Sequence, residues 1–304
     1  MESASARSAR RVGTDPRPDD RYGLDGAVDP AILAPALMIA SGSIHAVVNA
    51  IVKGGRDKMA ARAITDGSSA VILLPAILLV PLPTGAWGWL VLSMTLHSVY
   101  LYALIRAYQV ADFSAAYPVL RGTAPAVTAL VTIGWLGESA SLAEIGGIAL
   151  IAGAMFALAS QRHLGAAALK WSLLTGVSIA AYTVIDAHGV RAAPTTASYI
   201  VWLFVLHGAM VVVMFGLLSR GAIFPAAAQQ WKPGVLAGTL SILTYGMALI
   251  ALSLGPTAPL AALRETGMLT ALAISVFVLG EQVTMVRAAA VLAIFGGAAL
   301  ILAG

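Results

Sequence analysis

Tyr117-Pro118-Val119-Leu120-Arg121-Gly122-Thr123 lies inside a long apolar run, and 143 residues later Leu260-Ala261-Ala262-Leu263-Arg264-Glu265-Thr266 lies inside another. At that one offset Arg121-x-Thr123 falls on Arg264-x-Thr266, Leu136-Gly137-Glu138 on Leu279-Gly280-Glu281, Tyr102 on Tyr245 and Gly153 on Gly296. The shift is ungapped across this whole segment. An arginine near the centre of a bilayer costs about 2.5–3.5 kcal/mol even on the lenient insertion scale. A doubled chain that keeps this cost in both copies needs the charge where its two halves meet. These features point to a membrane transporter.

Composition agrees. The 304 residues are 59% hydrophobic and 11% charged, with a mean hydropathy of +0.88, against roughly 45–50% and 25% in a soluble domain. Too few charges are present to clothe a water-soluble surface. Apolar runs near twenty residues, the length that spans hydrocarbon as a helix, recur at about 32–51, 65–83, 87–107, 113–136, 142–160, 171–188, 198–218, 234–254, 257–279 and 284–302. They do not alternate as the strands of a β-barrel would. The expected fold is an all-α membrane protein of ten transmembrane helices. Residues 1–30 differ, mixing Arg, acids and Pro with little apolar content; they are expected to be a disordered N-terminal tail.

The 143-residue offset carries span 4 onto span 9. It covers five spans, an odd number, so the second half crosses the membrane in the opposite sense. The expected organisation is two inverted five-helix repeats, residues 31–161 and 169–304, with a substrate site between them near the midplane, as in secondary transporters. The first helix of each half aligns better at an offset near 137. There Ser41, His45 and Asn49 fall on Ser178, Tyr182 and Asp186. Residues four apart share a helical face, so each half places a polar stripe on its first helix, and these stripes should look inward.

Seven residues form the expected substrate site: Arg121, Arg264, Tyr117, His45, Asn49, Tyr182 and Asp186. Arg121 lies roughly 14 Å along its span at 1.5 Å per residue, beyond easy snorkelling. A guanidinium's planar fork suits carboxylate and phosphate. Tyr117 stands one turn from Arg121. His45 titrates near neutral pH in water and is the candidate for coupling transport to protons. The bland alternative is a salt bridge that only locks the halves together, with Asp186 and Glu265 as the nearest acids. Asp186 is expected to pair with one of the arginines. Because Glu265 follows Arg264 while Gly122 follows Arg121, Arg121 is expected to be the more available anion site and Arg264 the more structural one. Glu138 and Glu281 close spans 4 and 9 and are read as helix caps. His97 and His207 each stand alone in their spans and are read as packing.

No metal, cofactor or catalytic residue is expected. With no cysteine in the chain, disulfides and thiolate sites are excluded. No Walker loop is present, and the histidines lack ligand spacing, which counts against a membrane-embedded enzyme.

Ser43-Ile-His-Ala-Val-Val-Asn49, Tyr117-Pro-Val-Leu-Arg-Gly-Thr-Ala-Pro125 before Leu136-Gly-Glu138, and Ala261-Ala-Leu-Arg-Glu-Thr266 before Leu279-Gly-Glu281 resemble the drug/metabolite transporter superfamily. The likeness is specifically to its ten-helix branch of two EamA domains, over about residues 31–304. Gly-Glu at the end of each fourth helix is a recurring mark of that family. Each half also looks like a four-helix small multidrug resistance protein with one helix added. There, a glutamate on the first helix, eight residues before a lysine, carries protons and binds cations. Here His45 stands eight residues before Lys53, which argues against lipophilic-cation export. The resemblance implies export of amino acids and other small metabolites.

The expected function is therefore an alternating-access exporter of a small anionic or zwitterionic metabolite, such as an amino acid or organic acid. The alternatives are a transporter or flippase of a larger phosphate-bearing molecule, and a membrane-embedded protein without transport activity. The expected partners are the small-molecule substrate, protons and the lipid bilayer, with no nucleic acid and no cofactor. The chain is expected in the plasma or inner membrane as a monomer or homodimer. Loop charges put the termini outside, whereas the resemblance puts them in the cytoplasm.

Overall fold

The computed structural model describes residues 28–55, 57–111, 113–161, 164–277 and 284–304. The described residues are all helical or in connections, with no strand. Leu279, Gly280 and Glu281 lie outside them, as do residues 1–27 of the expected tail.

The helices are α1 (Pro30–Gly54), α2 (Lys58–Leu73, prolonged by a 3-10 stretch to Leu78), α3 (Trp87–Val110), α4 (Phe113–Thr132), α5 (Leu142–Ala159), α6 (Ala166–Ala192), α7 (Thr196–Leu218), α8 (Ile223–Gln229), α9 (Trp231–Leu254), α10 (Thr257–Leu263), α11 (Gly267–Phe277) and α12 (Met285–Ala303). Their starts follow ordinary capping chemistry. Asp29 caps α1 with Pro30 in the first turn, Asp57 caps α2, and Thr195 and Thr284 cap α7 and α12. Ser141 and Glu144 form a reciprocal capping box on α5. Each satisfies N–H groups that a helix start leaves bare.

Eight helices among the described residues are long and apolar enough to cross a membrane. The two expected spans not among these eight are those carrying the arginines, and the end of the second, 278–279, lies outside the described residues. In α4, Arg121, Thr123, Thr128, Pro118 and Pro125 dilute the apolar content. Pro125 also has no N–H to give the Arg121 carbonyl, so the ladder is weakened at the arginine. In the second half, α10 stops at Leu263, residues Arg264–Thr266 tighten into a 3-10 turn, and α11 resumes at Gly267.

Packing relies on small residues. Among the most extensive helix contacts are α3 on α6, α5 on α12, α1 on α9, α4 on α6, and α2 on α7. Where lipid tails are as apolar as leucine, close approach of backbones is the main source of helix affinity. A Cβ on Gly42 of α1 would sit 2.3 Å from the Arg264 carbonyl, and one on Gly267 would sit 2.3 Å from the Gly42 carbonyl. The glycines Gly147 and Gly297 let α5 and α12 touch in the same way. Buried alanines, among them Ala34, Ala187, Ala248, Ala251, Ala258 and Ala262, fill the main core.

Candidate functional site

The two arginines come together from opposite halves. Arg121 of α4 places its Nε 2.7 Å from Glu265 Oε2 of the 3-10 turn, with only 9% and 4% of the side chains exposed. Neither atom makes a well-aligned hydrogen bond, so the contact is an ion pair held by distance and charge. Arg264 has no ion-pair partner among the described residues. Its guanidinium lies over the Tyr245 ring, 5.2 Å from the centroid, and its buried Nε bonds to no protein atom. A cavity of about 20 Å³ is lined by Arg121, Arg264, Glu265, Tyr245, Thr128 and Thr183, among others. That is room for roughly one water molecule.

Two expectations are corrected here. Asp186 pairs with neither arginine. It is fully buried and accepts hydrogen bonds from Tyr199 at 2.7 Å and Tyr245 at 2.5 Å. Two phenolic hydroxyls satisfy the carboxylate where a guanidinium was expected. Arg121 is also the paired arginine and Arg264 the one without a carboxylate, the reverse of the expected ranking. Glu265 points away from its chain neighbour and toward the other half, because adjacent helical residues project about 100° apart.

The remaining expected residues are not among those that line the cavity. Asn49 of α1 is in hydrogen-bonding contact with Tyr117, whose ring stands 5.9 Å from the Arg121 guanidinium. His45 lies within electrostatic range of both arginines, Arg264 more strongly. Tyr182 stacks on His97 at 4.0 Å and meets Tyr245 edge-on at 6.5 Å. Tyr245 therefore joins the parts, with its ring against Arg264 and its hydroxyl on Asp186. Only its alignment with Tyr102 marks it in the sequence. Tyr199 has no such mark. Its ring fits because Gly189 faces it, where a Cβ would fall 2.4 Å from the hydroxyl.

Glu138 caps a helix start, but α10 rather than the next helix in the chain. Gly137 takes the left-handed conformation at φ 71°, ending α4 with the Glu138 N–H donated to the Thr132 carbonyl. Glycine adopts that conformation without a Cβ penalty. The turn delivers Glu138 to Thr257, from which it accepts a backbone N–H at 2.9 Å and a hydroxyl at 2.8 Å. Arg191, at the end of α6, donates to the Leu252 and Gly255 carbonyls at 2.9 and 2.7 Å. Its guanidinium is also 3.6 Å from Glu138. One end of the bundle is thus tied across α4, α6, α9 and α10.

Residues 81–151 match the family model described as Small Multidrug Resistance protein. The match spans α3, α4 and the first half of α5, and includes Arg121. No curated protein matches the sequence. A solved structure described only as "Crystal structure of protein" is similar over 89% of this chain and 95% of its own, at 18% identity and a TM-score of 0.67. That likeness is one of fold.

Proposed function

We propose that this chain is a ten-span secondary transporter of two inverted five-helix repeats that moves a small anionic or zwitterionic metabolite by alternating access, with export as its direction. The family match to a transporter segment and the eight apolar helices support a multi-pass membrane transporter. The pairing of helices supports the repeat. In that scheme α3 on α6 corresponds to α9 on α1, and α4 on α6 to α10 and α11 on α1, while α2 on α7 and α5 on α12 are their own counterparts. The contact between Gly147 and Gly297 has its counterpart in Ala154 and Ala290, which share one core cluster.

The observation that carries the substrate class is Arg264. A guanidinium near the midplane, without a carboxylate partner among the described residues and facing a cavity shared by both halves, has its charge available to a ligand's anionic group. Glu265 beside it gives a zwitterion an acceptor for its ammonium as well. A purely structural role for the arginines calls for both to be paired, and among the described residues one is not. Two cationic side chains at the cavity also oppose a lipophilic cation. The cavity holds about one water here, so a substrate requires a more open conformation than this one. Arg121, Arg264, Tyr117, His45, Asn49, Tyr182 and Asp186 are proposed to line that opened site.

The test is thermal stabilisation of the detergent-purified protein by a panel of amino acids and organic acids. A binder is expected to raise Tm in the native chain and not in Arg264→Ala. If the only stabilising compounds are lipophilic cations, or if none stabilises and vesicles show no flux, the reading fails.

A further inference from the structure

A second polar cluster lies within the same bundle, away from the arginine cavity. Asp66 of α2 is 5% exposed. Its Oδ2 is 2.6 Å from Arg62 Nε and 3.8 Å from His207 Nε2 of α7. His207 meets His97 of α3 edge-on at 4.9 Å, and His97 stacks on Tyr182 of α6. The histidines that stand alone in sequence therefore stand together in space. We propose that Asp66, His207 and His97 form a proton-binding site at the crossing of α2 and α7, the coupling site of the carrier proposed above.

Four observations carry this. The first is position. Asp66 is roughly 10 Å along its span from Met59 at 1.5 Å per residue, and His207 is midway along Thr196–Leu218. Ionisable groups at such depth are expensive to keep and mark ion pathways. An Arg–Asp pair one turn apart adds only about 0.2–0.5 kcal/mol to a helix, which does not explain a buried carboxylate.

The second is the crossing itself. Asp66-Gly67 and His207-Gly208 match at a shift of 141 residues, close to the offset relating the halves. Gly208 lies where a Cβ would be 2.3 Å from the Asp66 carbonyl. The two helices thus touch closely where one presents a carboxylate and the other an imidazole.

The third is unused valence. His97 Nδ1 lies 2.9 Å from the Ser93 carbonyl, which can only accept, so Nδ1 carries the hydrogen and Nε2 is the basic nitrogen. His207 Nδ1 is buried and bonded to no protein atom. With its Nε2–H toward Asp66, the Nδ1 lone pair is free to take a proton.

The fourth is a route to the substrate cavity. Tyr182 packs edge-on to Tyr245, which holds Asp186 and carries Arg264 over its ring. The charged and titratable groups facing the cluster are Arg62 from α2, Tyr100 from α3, Tyr182 and Asp186 from α6, Tyr245 from α9 and His45 from α1.

Loading is a change of partners. An arriving proton on His207 makes an imidazolium that competes with Arg62 for Asp66. Arg62 is the most exposed member, with 25% of its side chain open, and it turns outward. On release the proton returns to water and Arg62 recovers the carboxylate.

Infrared difference spectra of the protein in lipid membranes, between about pH 5 and 8, test the site without a substrate. Imidazole and carboxylate bands are expected in the native chain. His207→Gln should remove the His207 part of the imidazole change, and Asp66→Asn should diminish that same part as well as the carboxylate change. If Asp66→Asn leaves the His207 signal intact, the proposal is overturned.

A second arm uses vesicles, a radiolabelled amino acid mixture and an imposed pH gradient. Asp66→Asn should lose gradient-driven accumulation at least tenfold while keeping exchange in the absence of a gradient. Unchanged accumulation overturns the coupling role. Should native vesicles show neither accumulation nor exchange, the carrier reading is at fault, and the infrared arm still decides the proton site.

Discussion

Arg121 of α4 and Glu265 of the turn between α10 and α11 meet at 2.7 Å, so the one close ion pair at the arginine cavity among the described residues joins positions 144 apart. Glu265 follows an arginine in sequence but neutralises a different one in space. The pair ties α4 to the 3-10 turn that separates α10 from α11. Breaking it leaves one buried charge without a partner.

Glu265→Gln is therefore expected to destabilise the protein by about 3–5 kcal/mol, the cost of orphaning a buried charge. Replacing both residues with leucine should restore most of that stability, because neither charge is then stranded. Urea or thermal unfolding in detergent checks both. A single variant as stable as the native chain would contradict the geometry.

Tyr245 has two roles that separate by substitution. Tyr245→Phe keeps the ring against Arg264 and removes one hydroxyl from Asp186, which still accepts from Tyr199. A lost hydrogen bond to a charged group costs about 1.5–3 kcal/mol. Tyr199→Phe should cost a similar amount. The double variant should cost more than the sum, because Asp186 is then left bare. A double-mutant cycle on Tm would return this coupling, and strict additivity would contradict it.

The α-helical, membrane-spanning class was legible in the sequence because twenty-residue apolar runs have few other solutions in lipid. The pairing of charges was not. At the first helix of the second half, spacing put Tyr182 and Asp186 on a common inward side, but the partners of Asp186 come from α7 and α9. No periodicity encodes which tyrosine hydroxyl reaches a carboxylate. His97 and His207 stand alone in their spans, and for the same reason nothing in the spacing shows that they meet. The turn at Arg264 was hidden as well, since Ala261-Ala-Leu-Arg-Glu-Thr266 has ordinary helical propensity. What tightens it there coincides with the contact of Gly42 and Gly267, a tertiary event.

That contact makes Gly42→Val a sensitive change. The new side chain meets the Arg264 carbonyl and the Gly267 backbone, neither of which retreats as a flexible side chain would. A cost of about 1–3 kcal/mol or more is expected from overpacking, with loss of flux even in the fraction that folds. Gly54→Val, where nothing lies within 4 Å, is the control and should leave flux and assembly near native. Equal damage from both would show that the crossing is not special.

If Arg264 is the guanidinium open to substrate, Arg264→Lys should lower flux of a stabilising ligand at least tenfold with Tm unchanged within error. Lysine keeps the charge but loses the fork. Arg121→Lys should lower Tm first, because it disturbs the pair with Glu265. The measurement is flux in vesicles beside Tm in detergent, and the opposite pattern would return the anion site to Arg121.

The tie made by Glu138, Thr257 and Arg191 makes a further expectation about access. Glu138 is the hub, since it accepts both hydrogen bonds from Thr257 and lies beside Arg191. Glu138→Ala removes the cap from the start of α10, the short helix that leads into Arg264. It also leaves Arg191 bonded only to carbonyls and the Thr257 hydroxyl. The absence of native cysteine makes the consequence directly measurable, because a single cysteine at Ala261, on the cavity wall, is the only thiol present. Labelling with a membrane-impermeant maleimide from the side that carries the α4 C-terminus should be slow in the otherwise native chain. It should rise several-fold with Glu138→Ala, and Glu138→Gln, which can still accept from Thr257, should fall between. Equal labelling in all three would mean that this end of the bundle is closed by packing alone, and that Glu138 contributes a helix cap without gating the cavity.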